Sequence, residues 1–177
     1  ASWTGKYTLG PGLPALRQAF AAMLHRERGL HVDPETDICI TVGAMEGLCA
    51  AILTLVDPGD EVLLPSPNYA SHIEQVLLAE GRPVFFPLKP EDWQLDPAAL
   101  REKISSRTKA LVLCHPHNPT GAVFPENALR EVAELARKHG FFIICDETYD
   151  FLTYDGLSYF SLLSLPEVRR WVIGVFS

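Results

Sequence analysis

Apolar positions in this chain recur in two rhythms. Leu13, Leu16, Phe20 and Leu24 fall at helical spacing, with Arg17, His25 and Arg28 on the other face. That predicts an amphipathic helix ending near Gly29. The second rhythm is the short apolar run, which predicts strands buried on both faces. Such runs occupy Asp37–Val42, Glu61–Leu64, Arg82–Pro87, Ala110–Cys114, Phe141–Cys145 and Trp171–Val175. Helical stretches alternate with them. Leu48–Val56 is closed by Asp57-Pro58-Gly59, residues 70–80 follow the loop Pro65–Tyr69, Asp96 caps a helix reaching Ile104, and Pro125-Glu126 opens one that Gly140 closes. Alternation of this kind builds βαβ units. The predicted fold class is α/β, a three-layer arrangement of a mostly parallel sheet with helices on both faces.

Open parallel sheets keep their ligands at the carboxyl ends of the strands. Four loops fall there: Gly43–Glu46, Pro65–Tyr69, His115–Gly121 and Asp146–Tyr149. The first follows a strand, carries a glycine and opens a helix, an arrangement that aims backbone N–H groups at an anion. With no Walker lysine and no G-x-G-x-x-G, a P-loop or a dinucleotide fingerprint is excluded. Asp146 ends a buried strand and needs a cationic or hydrogen-bonding partner there. Tyr149, three residues on, can return its hydroxyl to the same place. The plainer readings are that Asn118 forms a turn before Pro119, that Met45 and Tyr69 pack, and that His72, which could also lie near a bound ligand, lies on a helix surface. His115 and His117, two apart, make a poor metal site without further ligands.

Composition narrows the partners. The chain has 177 residues, 47% of them hydrophobic, and a net charge of 15 − 22 = −7. One domain of ordinary size is the default, and interspersed charges of net negative sign argue against nucleic acid and anionic membranes. No apolar run reaches transmembrane length and no signal-peptide pattern opens the chain. Cys39, Cys49, Cys114 and Cys145 lack C-x-x-C spacing, which predicts buried thiols in a reducing, cytoplasmic setting rather than disulfides or zinc. The sequence starts without Met and stops directly after an apolar run, as a fragment does.

The order D-P-G-D-E-V-L, H-N-P-T-G and C-D-E-T-Y, preceded by Lys6-Tyr7 and Gly12-Leu13-Pro14-Ala15-Leu16-Arg17, resembles the fold-type I, pyridoxal-phosphate-dependent aminotransferases of class I/II. The resemblance covers nearly the whole chain. It implies that residues 1–177 are a partial, cofactor-binding large domain, with the small C-terminal domain absent. Asp146 would then pair with the protonated pyridine nitrogen of pyridoxal 5'-phosphate. Asn118 and Tyr149 would hold the phenolic oxygen, and Tyr69 would stack on the ring. The backbone N–H groups of Ala44 and Met45 would hold the phosphate, with Ser177 as a further phosphate ligand. Met45 departs from the family, where a polar side chain often adds a contact. Tyr7 would reach the cofactor of a partner subunit, implying a homodimer.

The resemblance also implies a Schiff-base lysine, expected just beyond Ser177, so no catalytic residue is expected within the chain. Lys6, Lys89, Lys103, Lys109 and Lys138 stand in none of the right places. The implied reaction moves an amino group between an amino acid and a 2-oxo acid, with the fragment inactive by itself. A C–S lyase or other enzyme of the same fold stays open, as does the non-catalytic, aminotransferase-like effector domain of a transcription regulator.

Overall fold

In the computed structural model, which describes residues 7–177, the chain divides into two compact units, Ala1–Val42 and Gly43–Ser177. The first holds helix α1, Pro14–Arg28, with proline in its first turn and Gly29 in the left-handed conformation at its end. His25, Arg26 and Arg28 sit in the last turn, where cations oppose the helix dipole. The helix buries Leu24, as the periodicity predicts, but departs from it at two positions. Arg17 is 1% exposed, while Leu16 is 48% exposed. The Arg17 guanidinium explains this, because it donates to the Pro34 carbonyl at 2.5 Å and to the Glu35 carboxylate at 3.1 Å. A buried charge met by two acceptors is tolerable where an unpaired one is not.

The strand predicted at Asp37–Val42 does not form among the described residues. Strand structure needs a neighbouring ladder, and here the Ile40 N–H bonds the Pro11 carbonyl at 3.0 Å instead. Ile38 is buried, but Val42 is 88% exposed. Gly12 makes this approach possible: its φ is +93°, and a Cβ there would lie 2.6 Å from Ile40 Cβ.

The second unit is built on five parallel strands. They are β1 (Glu61–Ser66), β2 (Arg82–Pro87), β3 (Thr108–Cys114), β4 (Phe142–Asp146) and β5 (Val172–Val175), in the order β2-β1-β3-β4-β5. Successive residues feed opposite cores, as the two-residue period of a strand requires. Leu63, Leu111, Leu113, Ile143 and Cys145 pack on one face with helices α4 (Pro97–Arg101) and α5 (Glu126–His139). Val62, Leu64, Ala110, Val112 and Ile144 pack on the other with α2 (Gly43–Leu55) and α3 (Ala70–Leu78). The three layers are those the alternating pattern predicts.

Local chemistry sets the helix bounds. Asp96 Oδ1 accepts from the N–H groups of Ala98 and Ala99 at 3.0 and 3.2 Å, capping α4 at the predicted place. That helix ends at Arg101, short of Ile104. Helix α2 starts at Gly43, a full turn before the predicted Leu48, and buries Leu48 and Ile52. At the amino edge of the sheet, Glu61 is 5% exposed and meets Ser105, Arg107 at 2.9 Å and Arg82 at 3.4 Å. The Ser105 hydroxyl, ahead of the two arginines, holds its carboxyl below the usual range despite burial.

Candidate functional site

The strand order reverses beside β1, since β2 lies on one side of it and β3, β4 and β5 on the other. In open α/β sheets, ligands bind at the carboxyl edge beside such a switch point. The loops after β1, β3 and β4 converge there. The peptide bonds Ser66–Pro67, His115–Pro116 and Asn118–Pro119 are cis. The loop after β3 is tied to β4 by the His115 N–H, which donates to the Asp146 carbonyl at 2.9 Å.

Asp146 is 5% exposed, and its two oxygens are treated differently. Oδ1 accepts the Thr148 hydroxyl at 2.7 Å and the Thr148 N–H at 3.2 Å. Oδ2 faces His72 Nε2 at 3.4 Å, a distance for charge attraction rather than a well-aligned hydrogen bond. Burial alone would raise the Asp146 pKa, but the donors of His72 and Thr148 outweigh it and hold the group below its ordinary value. Its charge is felt next door: burial first, then Asp146, pushes the Cys114 thiol up to about 12.

His72 comes from the first turn of α3 and is fully buried. Asn68 donates its Nδ2 to the Tyr69 carbonyl at 3.1 Å, which leaves Oδ1 facing His72 Nδ1 at 3.3 Å. The ring therefore lies between two acceptor oxygens, Asn68 Oδ1 and Asp146 Oδ2. Tyr69, at the N-cap position of α3, meets His72 edge-on with centroids 5.5 Å apart, and keeps 37% of its surface exposed.

On the neighbouring loop, Asn118 Nδ2 donates to the Tyr149 hydroxyl at 3.3 Å, joining the loops after β3 and β4. His117 pairs through Nδ1 with the Thr120 hydroxyl at 2.8 Å, while its Nε2 is buried without a hydrogen-bond partner. Burial lowers the pKa of His115 and of His117 to about 4. His115 is stacked between Phe124 and Tyr159, at 5.4 and 5.0 Å. Glu147 is fully buried beside them and accepts the hydroxyls of Ser161, at 2.9 Å, and Tyr159.

Helix α2 points its first turn toward solvent: Met45 is 44% exposed, and the N–H groups of a helix's first turn have no partner within the helix. Gln75 of α3 donates to the Met45 carbonyl at 3.1 Å, so one helix contacts both this turn and Asp146. Space around Gly43, at φ +76°, is open on the side a Cβ would take.

The predicted residues thus divide. Asp146, Tyr69, Asn118 and Tyr149 lie on the converging loops, and Ala44 and Met45 on the turn that Gln75 touches. Ser177 is exposed, two residues past Val175, which pairs with Asp146 in the β4–β5 register. Tyr7 belongs to the first unit and is fully exposed. Lys109 pairs with Asp60 at 3.9 Å at the far edge of the sheet, and Lys6 lies outside the described residues. His72 corrects the sequence expectation of a helix surface; its signal was a position one turn past Asn68 and Tyr69, where a helix leaves the ligand edge. Thr148 was also missed, although Asp-x-Thr is a spacing that lets a side chain close on its own backbone. No group that could hold a metal occurs among the described residues, all four cysteines are free thiols, and no described helix is long and apolar enough to cross a membrane.

Comparison with known proteins places the chain among aminotransferases. A probable aspartate/prephenate aminotransferase of Thermus aquaticus is 43% identical over 92% of this chain and 42% of its own length. A probable N-succinyldiaminopimelate aminotransferase of Mycobacterium tuberculosis is 42% identical over all of this chain and 45% of its own. The solved structure of N-succinyldiaminopimelate aminotransferase from Mycobacterium tuberculosis superposes with a TM-score of 0.94 at 40% identity, covering 98% of this chain and 46% of that one. The chain therefore spans under half the length of these relatives. The family model for aminotransferase class I and II matches residues 3–175, and the chain belongs to that family.

Proposed function

We propose that this chain is the cofactor-holding part of a pyridoxal-phosphate-dependent aminotransferase that moves an amino group between an amino acid and a 2-oxo acid. The observation that carries the reading is Asp146, a buried carboxylate held ionised by His72 and Thr148 at the carboxyl end of β4. The donor set fits the cofactor in sign at each end. A carboxylate suits a protonated ring nitrogen, the Asn118–Tyr149 pair suits a phenolic oxygen, and first-turn amides of α2 suit a phosphate. When bound, the cofactor supplies an electron sink for the bond broken at the substrate carbon.

Each residue has a stated task. Asp146 keeps the ring nitrogen protonated, and His72 keeps Asp146 charged. Asn118 orients the Tyr149 hydroxyl toward the phenolic oxygen. Tyr69, part exposed at the start of α3, offers its face to the ring. Ala44 and Met45 offer backbone N–H groups, with Ser177 as a further phosphate contact. We further propose that the protein acts as a homodimer in the cytoplasm, with Tyr7 turned toward the partner's cofactor.

The test is an absorbance titration of the chain with pyridoxal phosphate, followed by borohydride reduction and mass spectrometry. The expected result is saturable, non-covalent binding with no single modified lysine. A stoichiometric adduct on one lysine of this chain, or no binding at all, would overturn the reading.

A further inference from the structure

We propose that Thr148 is a positioning residue that locks the rotation of Asp146, so that Oδ2 is the oxygen presented to the ring nitrogen. This rests on the cofactor reading above and adds a residue to it. The geometry is specific to one oxygen. Oδ1 accepts both donors of Thr148, the hydroxyl at 2.7 Å and the N–H at 3.2 Å. A carboxylate that accepts two bonds from one neighbour cannot turn without breaking both. Oδ2, relieved of local partners, is left facing His72 at 3.4 Å.

The two Thr148 bonds are separable. The N–H bond depends only on the turn after β4, and any residue at 148 can make it. The hydroxyl bond requires Ser or Thr. It is the shorter of the two, and its acceptor is ionised, the class of hydrogen bond that is stronger than neutral pairs. Thr148 touches neither ring nor substrate in this scheme and acts only through Asp146.

Three forms of the full chain separate this role from packing: wild type, Thr148→Val, which keeps the shape and loses the hydroxyl, and Thr148→Ser, which keeps the hydroxyl and loses a methyl. Side-chain couplings of Asp146, measured by NMR at neutral pH without cofactor, should report one rotamer in wild type and Thr148→Ser, and averaging in Thr148→Val. Affinities for pyridoxal phosphate and for its analogue with CH in place of the ring nitrogen give the second readout. The preference for the nitrogen-containing ring should fall about three- to tenfold in Thr148→Val and recover in Thr148→Ser. A single Asp146 rotamer in Thr148→Val, or a preference that valine leaves intact, overturns the proposal. Rotamer averaging in Thr148→Val together with no binding by wild type would retain the Thr148–Asp146 lock and reject the cofactor reading instead.

Discussion

Glu61 and Asp146 are both carboxylates about 95% buried at the ends of strands in one sheet, yet they are finished differently. Glu61, at the amino edge, is saturated: a serine hydroxyl and two arginines meet it, and those arginines are themselves exposed. Asp146, at the carboxyl edge, has one oxygen closed by Thr148 and the other facing a fully buried histidine. Around it lie buried polar atoms without hydrogen bonds, among them Gln75 Oε1 and His117 Nε2. Native interiors rarely leave such groups unmet. The comparison teaches that this sheet carries its structural polarity at one edge and holds unmet polarity at the other.

The largest expected effect breaks the comparison at its functional end. Asp146→Ala should weaken pyridoxal phosphate binding about 10- to 100-fold, since a hydrogen bond to a charged group contributes about 1.5–3 kcal/mol. Glu61→Ala should leave that affinity unchanged. Absorbance titration of both variants decides the matter, and equal affinities would place the ligand elsewhere.

Next in size is a pH effect confined to the carboxyl edge. Burial holds His115 at about 4 against an ordinary 6.5. The unfolded chain takes up this proton as pH falls through 6.5, and the folded chain does so only near 4. Stability therefore declines between those values, by about 3 kcal/mol from His115. Asp146, a depressed carboxylate, acts in a lower window: its contribution is present above its ordinary 3.8 and is lost as pH falls below that. Urea denaturation at pH 7.5 and 4.5 should show the decline in wild type and a smaller one in His115→Phe, which keeps a ring against Phe124 and Tyr159. Identical pH slopes would mean that His115 titrates normally.

Much of this edge was legible in advance, for a physical reason. Strands buried on both faces admit few polar residues, so a carboxylate ending Phe142–Asp146 stood out against its own run, and Asn118 and Tyr149 followed from loops at strand ends. Three things were not legible. Arg17 reads as the polar face of α1 because periodicity counts residue type and cannot see that the Pro34 carbonyl and Glu35 will enclose it. Asp37–Val42 has a strand's composition, but a strand is a property of two segments, and its Ile40 N–H pairs with Pro11. His72 belongs to a contact between α3 and β4, 74 residues apart in sequence by subtraction of the numbers 72 and 146, which no local pattern records.

Glu61→Gln sharpens the structural side of the comparison. It removes the charge that two arginines share while keeping the shape, and should lower stability by about 1–2 kcal/mol with no change in pyridoxal phosphate affinity. Chemical denaturation paired with the absorbance titration measures both. A loss of affinity as large as the loss of stability would show that the two edges are coupled through the strands.

The smallest effect tests how the unmet edge is divided among its residues. Tyr149→Phe keeps the ring and deletes only the hydroxyl that Asn118 contacts at 3.3 Å. Because Tyr149 is half-buried, the amide it abandons can find water, so stability should change by no more than about 0.5 kcal/mol. Binding should respond more if the hydroxyl meets the ligand's phenolic oxygen as proposed: affinity for pyridoxal phosphate should drop about three- to tenfold. Denaturation and titration of the same variant separate the two. If stability falls while affinity holds, the Asn118–Tyr149 contact is a brace between the loops after β3 and β4, and the ligand-facing chemistry of this edge contracts to Asp146 and its neighbours.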